Sequence, residues 1–453
     1  MTRRLGSASC VFILCLVGTL SLSAANWPQW RGPEGQGVSA ESDLPSEWSG
    51  TQNVAWKVPV AGRGHSSPIV WGNRVFLTTA VEGEPLAPSD MKPPPVHLME
   101  GKPWVHPDSM GVDKRHTYKV MAFDLASGKV VWEQTAYQGP VFDYRHKKGS
   151  YASPTPVTDG ARVFAYFGSE GIYAYDFNGK QLWKTDVADI KTVGMGTASS
   201  PVLYKQLVIL QCDEDEGEQS FMIALDARTG KEVWRTPRKV QVSWTTPVLV
   251  QAAGRDELIA SGNEWIIGYD PATGKELWKA KGIDSNAIHT PLVGHGLVII
   301  SAGYPNKRVV AIKPGGSGDV TDTDRIAWKY DKGTAYVASP ILYGDYVYLL
   351  SDNGTVTCLD AKTGQLKYEG GRVPKPGRFT ASPVAYDGKI LLTSEDGDTF
   401  VIKAGPVHEI LRTNSVDGPV LATPALSQGR ILIRTVEHLY CIKSGAAAIA
   451  PAP

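Results

Sequence analysis

Cysteine is scarce here: five residues in 453, of which Cys10 and Cys15 fall in an apolar N-terminal run. The remaining three, Cys212, Cys358 and Cys441, are an odd number, so a fully paired disulfide framework within the chain is excluded. Cys358 in "TVTCLD" and Cys441 in "HLYCIK" take the same place in matching segments, as small buried hydrophobes would. No C-x-x-C-H occurs, hence no covalent c-type haem, and no two cysteines are adjacent. Net charge is missing too, with 46 basic and 46 acidic residues. Nothing steers such a chain to nucleic acid or to an anionic membrane. The one basic cluster, "RHKK" at 145–148, reads as a solvated loop.

Signatures of catalysis are equally thin. There is no Gly-rich phosphate loop and no G-x-S-x-G elbow. His97, His106 and His116, with Asp108 and Asp113, stand at histidine spacings of nine and ten that match no compact zinc pattern, so no metal is assigned. "QCDEDEGEQ" at 211–219 lacks the alternation of an EF-hand loop and reads as a solvated turn. Long apolar runs are absent beyond the N-terminus, where Arg3 and Arg4, "VFILCLVGTL" and "SLSAA" form the pattern of an export signal cleaved after Ala25. That run is shorter than the ~20 residues a spanning helix needs. An exported, periplasmic or extracellular monomer is expected, with residues 26–52 as an N-terminal extension and 444–453 as a disordered tail.

What is abundant is repetition. "FDLASGKVVW", "YDFNGKQLW", "LDARTGKEVW", "YDPATGKELW" and "LDAKTGQLKY" are hairpins in which an Asp opens and a Gly closes the turn. A Ser-Pro or Thr-Pro pair leading into an apolar strand keeps step with them, at Pro68, Pro154, Pro201, Pro247, Pro291, Pro340, Pro383 and Pro424. After a first gap of 86 the spacings run from 41 to 49. Each period is a four-stranded antiparallel sheet that cannot bury both faces alone and must pack on its neighbours. The last unit stops after three strands at "EHLYCIKSG", while "NVAWKVPV" at 53–60 is an orphan fourth strand. The two halves complete one blade, which predicts an all-β, eight-bladed β-propeller over 53–443 closed by its N-terminal strand. Trp56, Trp132, Trp183, Trp234, Trp278 and Trp328 recur in last strands, where a large ring docks on the neighbouring blade; Tyr368 and Leu411 take that place in two weaker units.

The cadence A-x-D-x-x-T-G-K-x-x-W followed by S-P resembles the pyrroloquinoline quinone (PQQ)-like repeat of quinoprotein alcohol dehydrogenases and of the outer-membrane assembly-factor propeller. The opening "NWPQWRGPEGQGVS" and "GTAYVASPILYGDYVYLLSDNGTVTCLDAKTG" are similar to exported bacterial proteins of that kind. The resemblance implies eight blades and, in the dehydrogenases, PQQ held with calcium over the central channel. This chain departs from the dehydrogenases in lacking adjacent cysteines and the extra length of cofactor-covering loops. A non-catalytic binding or scaffold module for a protein, peptide or glycan is therefore the expected function. A PQQ-dependent alcohol or sugar dehydrogenase and an outer-membrane assembly factor are the alternatives.

Propeller sites usually lie where loops surround the channel mouth. The loops into each Ser-Pro strand, and those between second and third strands, share one face. They offer Arg63, His65, Arg145, His146, Tyr151, Trp244, Asn263, Glu264, Asn286, His289, Tyr304, Arg308 and Tyr336. Aromatics beside amides and cations suit a sugar, a polymer or a peptide. The proline-rich insertion 81–117 in blade one leaves on the same face. It is expected to fold over that rim as an extended flap, with Trp104 as its apolar contact, and its removal is expected to leave stability nearly unchanged.

Overall fold

The computed structural model describes residues 25–99, 101–284 and 286–448. The expected signal up to residue 24 and the end of the tail from residue 449 lie outside the described residues. Eight antiparallel four-stranded sheets form an eight-bladed β-propeller, and the one helical turn among the described residues is Gly168–Glu170. Blade one contains Ile69–Trp71, Arg74–Pro85, Lys114–Asp124 and Val130–Pro140 from the channel outward. Blade eight contains Ala425–Ser427, Arg430–Arg434 and His438–Lys443, and its outer strand is Val54–Pro59, paired antiparallel with 438–442. The ring thus closes by the strand that the sequence leaves orphaned.

Alternation along the strands turns one side chain in two toward the adjacent blade. The core is accordingly divided into seven clusters, each lying between blades: the largest joins blades seven, eight and one through Trp48, Trp56, Leu77, Val401 and Ile442. The recurrent tryptophans seal these seams. The indole N–H of Trp56, Trp132, Trp183, Trp234 and Trp328 donates to a carbonyl in the next blade's turn, at Leu125, Phe177, Ala227, Pro271 and Ala361. The turn's glycine makes room for the ring: a Cβ on Gly230, whose φ is +69°, would come 2.6 Å from Trp183. Trp278 is the exception. Blade five carries a longer loop where its neighbours have the Thr-Gly turn, Gly318–Asp319 of that loop adds a parallel fifth strand to blade four, and the Trp278 indole donates instead to buried Glu257 at 2.7 Å. Trp132→Ala is expected to cost about 3–5 kcal/mol in denaturant unfolding, since it empties a seam between two rigid sheets.

The Ser-Pro repeat has a second job. At six of the eight repeat positions the hydroxyl before the proline accepts the amide N–H of its counterpart in the preceding blade: Thr155 from Ser67, Ser200 from Thr155, Thr246 from Ser200, Ser339 from Thr290, Ser382 from Ser339 and Thr423 from Ser382, all at 2.9–3.0 Å. This chain of bonds corrects the expected register of blade two, where Thr155-Pro156 rather than Ser153-Pro154 takes the repeat position, because Val157–Thr158 is the inner strand.

The N-terminal extension is built into the molecule. Trp27 bridges to Val70 of blade one and Val38 to Ala385 of blade seven, so residues 26–40 strap the face opposite the Ser-Pro loops. Trp27, Leu44 and Trp48 are buried, and Arg31 is fully buried with its guanidinium donating to the carbonyl of Pro340 at 2.8 Å.

Two loops read as solvated are buried in part, although Lys147, Lys148, Glu216 and Glu218 are exposed. Arg145 is 3% exposed, paired with Glu82 and donating to the carbonyls of His146 and Gly149. In the acidic stretch Asp213, Glu214 and Asp215 are all at most 5% exposed. The insertion is also tighter than expected: its ends prolong two strands of blade one, with Glu82 opposite His116 and Pro85 opposite Lys114. Its apolar contacts with the blade one and two cluster are Val112 and Met91, whereas Trp104 packs on His106.

A candidate docking face around a narrow channel

Extended chain with period two lines the channel in two rings. The inner ring consists of Thr155, Ser200, Thr246, Thr290, Ser339, Ser382 and Thr423; the ring nearer the Ser-Pro face holds His65, Ser153, Ala198, Trp244, Ile288, Val337, Thr380 and Leu421. The floor is Trp30 of the strap, whose indole N–H donates to Thr290 Oγ1 at 2.8 Å. The cavity is about 140 Å³, and none of its lining residues is a carboxylate. Burial, with Arg434, Arg63 and Arg145 nearby, pushes the His65 imidazole down to about 3, so it is neutral. A groove of about 910 Å³ lies on the opposite face between the strap (Gln29–Gln36) and the inner strands of blades three to five.

On the Ser-Pro face the insertion covers blades one to three. His97 at its hairpin is fully buried, bonded through Nδ1 to Asp215 Oδ2 at 2.8 Å and through Nε2 to Asp143 Oδ1 at 2.9 Å. The second oxygens are occupied by the Thr192 and Val193 amides. Burial alone would lower the imidazole; the hydrogen bonds and charges of Asp143 and Asp215 outweigh it and raise His97 to about 9. His97 is thus an imidazolium at neutral pH, a latch between the flap and blades two and three. Its spacing from His106 matches no metal pattern, and nothing local in the sequence reveals partners 46 and 118 residues away.

The candidate residues divide between a locked half and an open half. Arg63 donates to the Lys147 carbonyl beneath the 145–150 loop. Tyr151 stacks on Tyr118 with centroids 5.8 Å apart and donates to the Asp143 carbonyl at 2.9 Å. His146 lies 3.4 Å from Asp108 of the flap. His289 is buried outright, bonded to Ser301 Oγ at 2.8 Å, and burial lowers it to about 4; it stands behind the rim, not on it. Arg308 pairs with Asp284, Asn263 donates to Gln241, and Glu264 is an exposed residue at φ +69° that starts a strand.

Across blades four to six the flap leaves the surface open. Trp244 is half-buried at the channel mouth, its backbone N–H on the Ala287 carbonyl and its indole on that of Gly196, both 2.8 Å. The Asn286 N–H donates to the Tyr304 carbonyl, and its side chain to the Tyr336 hydroxyl at 3.2 Å. Tyr304 and Tyr336 lie 5.1 Å apart and are 56% and 38% exposed, with Val337 at 37%. Trp244, Asn286, Tyr304, Tyr336 and Val337 therefore form one continuous aromatic and apolar strip with a single amide in it.

Comparison with known proteins agrees with this architecture. Outer membrane protein assembly factor BamB from Yersinia pestis is 27% identical over 257 residues, 53% of this chain and 60% of that protein. The same factor from Burkholderia pseudomallei is 33% identical over 107 residues, 23% of this chain and 26% of that protein. These alignments span less than two thirds of either relative. Among solved structures, BamB from Moraxella catarrhalis superposes with a TM-score of 0.52 at 14% identity, covering 74% of this chain and 95% of that one. A europium-containing methanol dehydrogenase superposes at 0.61 and 12% identity, covering 91% and 90%; at such identities both likenesses are of fold alone. The family model described as "Outer membrane protein assembly factor BamB" matches residues 114–236 and 218–371, over half of the sequence, and the chain belongs to that PQQ-like repeat propeller family.

Proposed function

We propose that the protein is an exported docking module that captures a protein partner through the open half of its Ser-Pro face, in the manner of an outer-membrane assembly factor. The strip from Trp244 to Tyr304, Tyr336 and Val337 carries the reading. Rigid aromatics bury large area at low entropic cost and are the residues that dominate protein interfaces. Asn286 within the strip supplies a donor and acceptor for a partner's backbone.

Quinone chemistry draws no support from the channel. At about 140 Å³ the cavity is below the ~300 Å³ of ordinary small-molecule pockets. Calcium needs several oxygen ligands, normally including carboxylates, and the lining carries none. The residues present do not fit PQQ with calcium there, and the fold likeness to the methanol dehydrogenase adds nothing about chemistry.

The test is affinity capture from an envelope extract with wild-type protein and the variants Trp244→Ala and Tyr336→Ala. Each is expected to weaken capture of the same envelope protein by about 1–3 kcal/mol, with thermal unfolding unchanged for exposed Tyr336→Ala. Capture that is indifferent to both variants removes the proposal, as does PQQ-dependent dye-linked oxidation of an alcohol or sugar.

A further inference from the structure

The flap's tip meets the loop entering blade two at a cluster that neither segment discloses alone. His106, Asp108 and His146 each present one ligand atom, all within 4.8 Å of one another, and all three side chains are half-buried. The pair His146 Nε2 and Asp108 Oδ2 is 3.4 Å apart. That is already close to the ~3.3 Å separating two ligands on a tetrahedral zinc with bonds of about 2.0–2.1 Å. The backbone fixes the two halves against each other: Ser109 and Met110 pair antiparallel with His146 and Arg145, and the Lys147 N–H donates to the Asp108 carbonyl at 2.8 Å. Trp104 flanks the site, its ring 5.4 Å from that of His106, and the His106 and His146 rings are 5.8 Å apart.

We propose that His106, Asp108 and His146 bind one divalent first-row transition ion, with Zn²⁺ as its probe, and that the ion clips the flap to the propeller. Two imidazoles and one carboxylate are a borderline-soft donor set that suits zinc, nickel or copper and is poor for calcium or magnesium, which prefer all-oxygen sites. Three protein ligands leave a fourth position open to water or to a donor group of a partner.

The arrangement also states what loading must change. Lys147 Nζ holds Asp108 Oδ1 at 2.9 Å and stands in as the cation. The Nδ1 atoms of His106 and His146 each accept an amide N–H at 3.1 Å, from Asp108 and Lys148. Coordination through Nε2 requires the ring proton on Nδ1, so each ring turns off its amide as the ligands close on the ion, and Lys147 swings to solvent. The Lys148 amide and the Lys147 ammonium are at the surface, where water replaces the lost bonds at little cost.

Equilibrium dialysis and calorimetry of the purified chain with Zn²⁺ test the site. One ion per chain is expected; Asp108→Asn and His146→Gln each weaken binding at least tenfold, Lys147→Met strengthens it severalfold, and His295→Gln, on a distant blade, leaves it unchanged. Zinc should also slow proteolysis within residues 101–113, a readout independent of any partner. Should His146→Gln melt early by circular dichroism, Asp108→Asn decides alone. Zinc binding that ignores these ligand substitutions, calcium binding of equal strength, or no binding at all overturns the assignment.

Discussion

Replacing His97 by alanine should free the flap and destabilise the molecule by about 3–5 kcal/mol, the typical cost of leaving buried charge without its partner. Asp143 and Asp215 face one another only through that imidazolium, and each already spends its second oxygen on a backbone amide. Glutamine at the same position keeps donors but no charge and should fall between. The same reasoning reverses the expectation that the insertion can be cut out without penalty: deleting 84–114 removes His97 and strands both aspartates. Titration supplies a second form of the experiment. The group's folded pKa lies near 9, above the ordinary ~6.5 of a histidine, so its contribution is complete below about pH 6.5 and is lost as pH rises through about 9. The protection of 86–113 from hydrogen exchange, measured against the intrinsic rate at each pH, should therefore fall between pH 7 and 9.5 in the wild type and be low throughout in His97→Ala. Equal protection at both ends of that range, or in both proteins, would refute the latch.

Removing residues 26–60 should abolish soluble expression. The deletion takes away the outer strand of blade eight and exposes the edge at 438–442, a template for aggregation. It also removes the Trp30 floor, the Trp27 and Trp48 side chains and Arg31. A shorter deletion, 26–52, separates the two effects, since it keeps the closing strand and loses only the strap and the segment with Leu44 and Trp48 that follows it. That variant should stay soluble yet lose at least about 5 kcal/mol, because truncating a single buried tryptophan costs about 3–5 kcal/mol. Denaturant unfolding monitored by fluorescence measures it. A strapless protein as stable as the parent would mean that the extension merely lies on the surface.

The architecture was readable because it is written locally and repeatedly. A turn needs its Gly, a seam needs its Trp, and the orphan strand at 53–60 has one vacancy to fill. Trp278 kept its place in the pattern while its partner changed, because the altered residue lies in the next blade's loop rather than beside it. The site was less legible. Trp244, Asn286, Tyr304 and Tyr336 share a surface, yet burial of His289 and Arg145 depends on which loops pack over them, information spread across other blades. Asp215 of the acidic run at 211–219 looked solvated because its cation, His97, sits more than a hundred residues upstream in an insertion outside the repeat. Long-range pairs of that kind leave no periodicity behind.

The central claim concerns where a partner docks, and site-specific photo-crosslinking addresses it most directly. A photoreactive residue is placed at 304 or 336 on the open strip, at 251 in the large groove of the opposite face, and at 96 on the outside of the flap. After irradiation in the cell envelope, adducts at 304 and 336 to the same protein, and their loss in a Trp244→Ala background, are the predicted result. Adducts confined to 251, or none at 304 and 336 while the partner still copurifies, would contradict it.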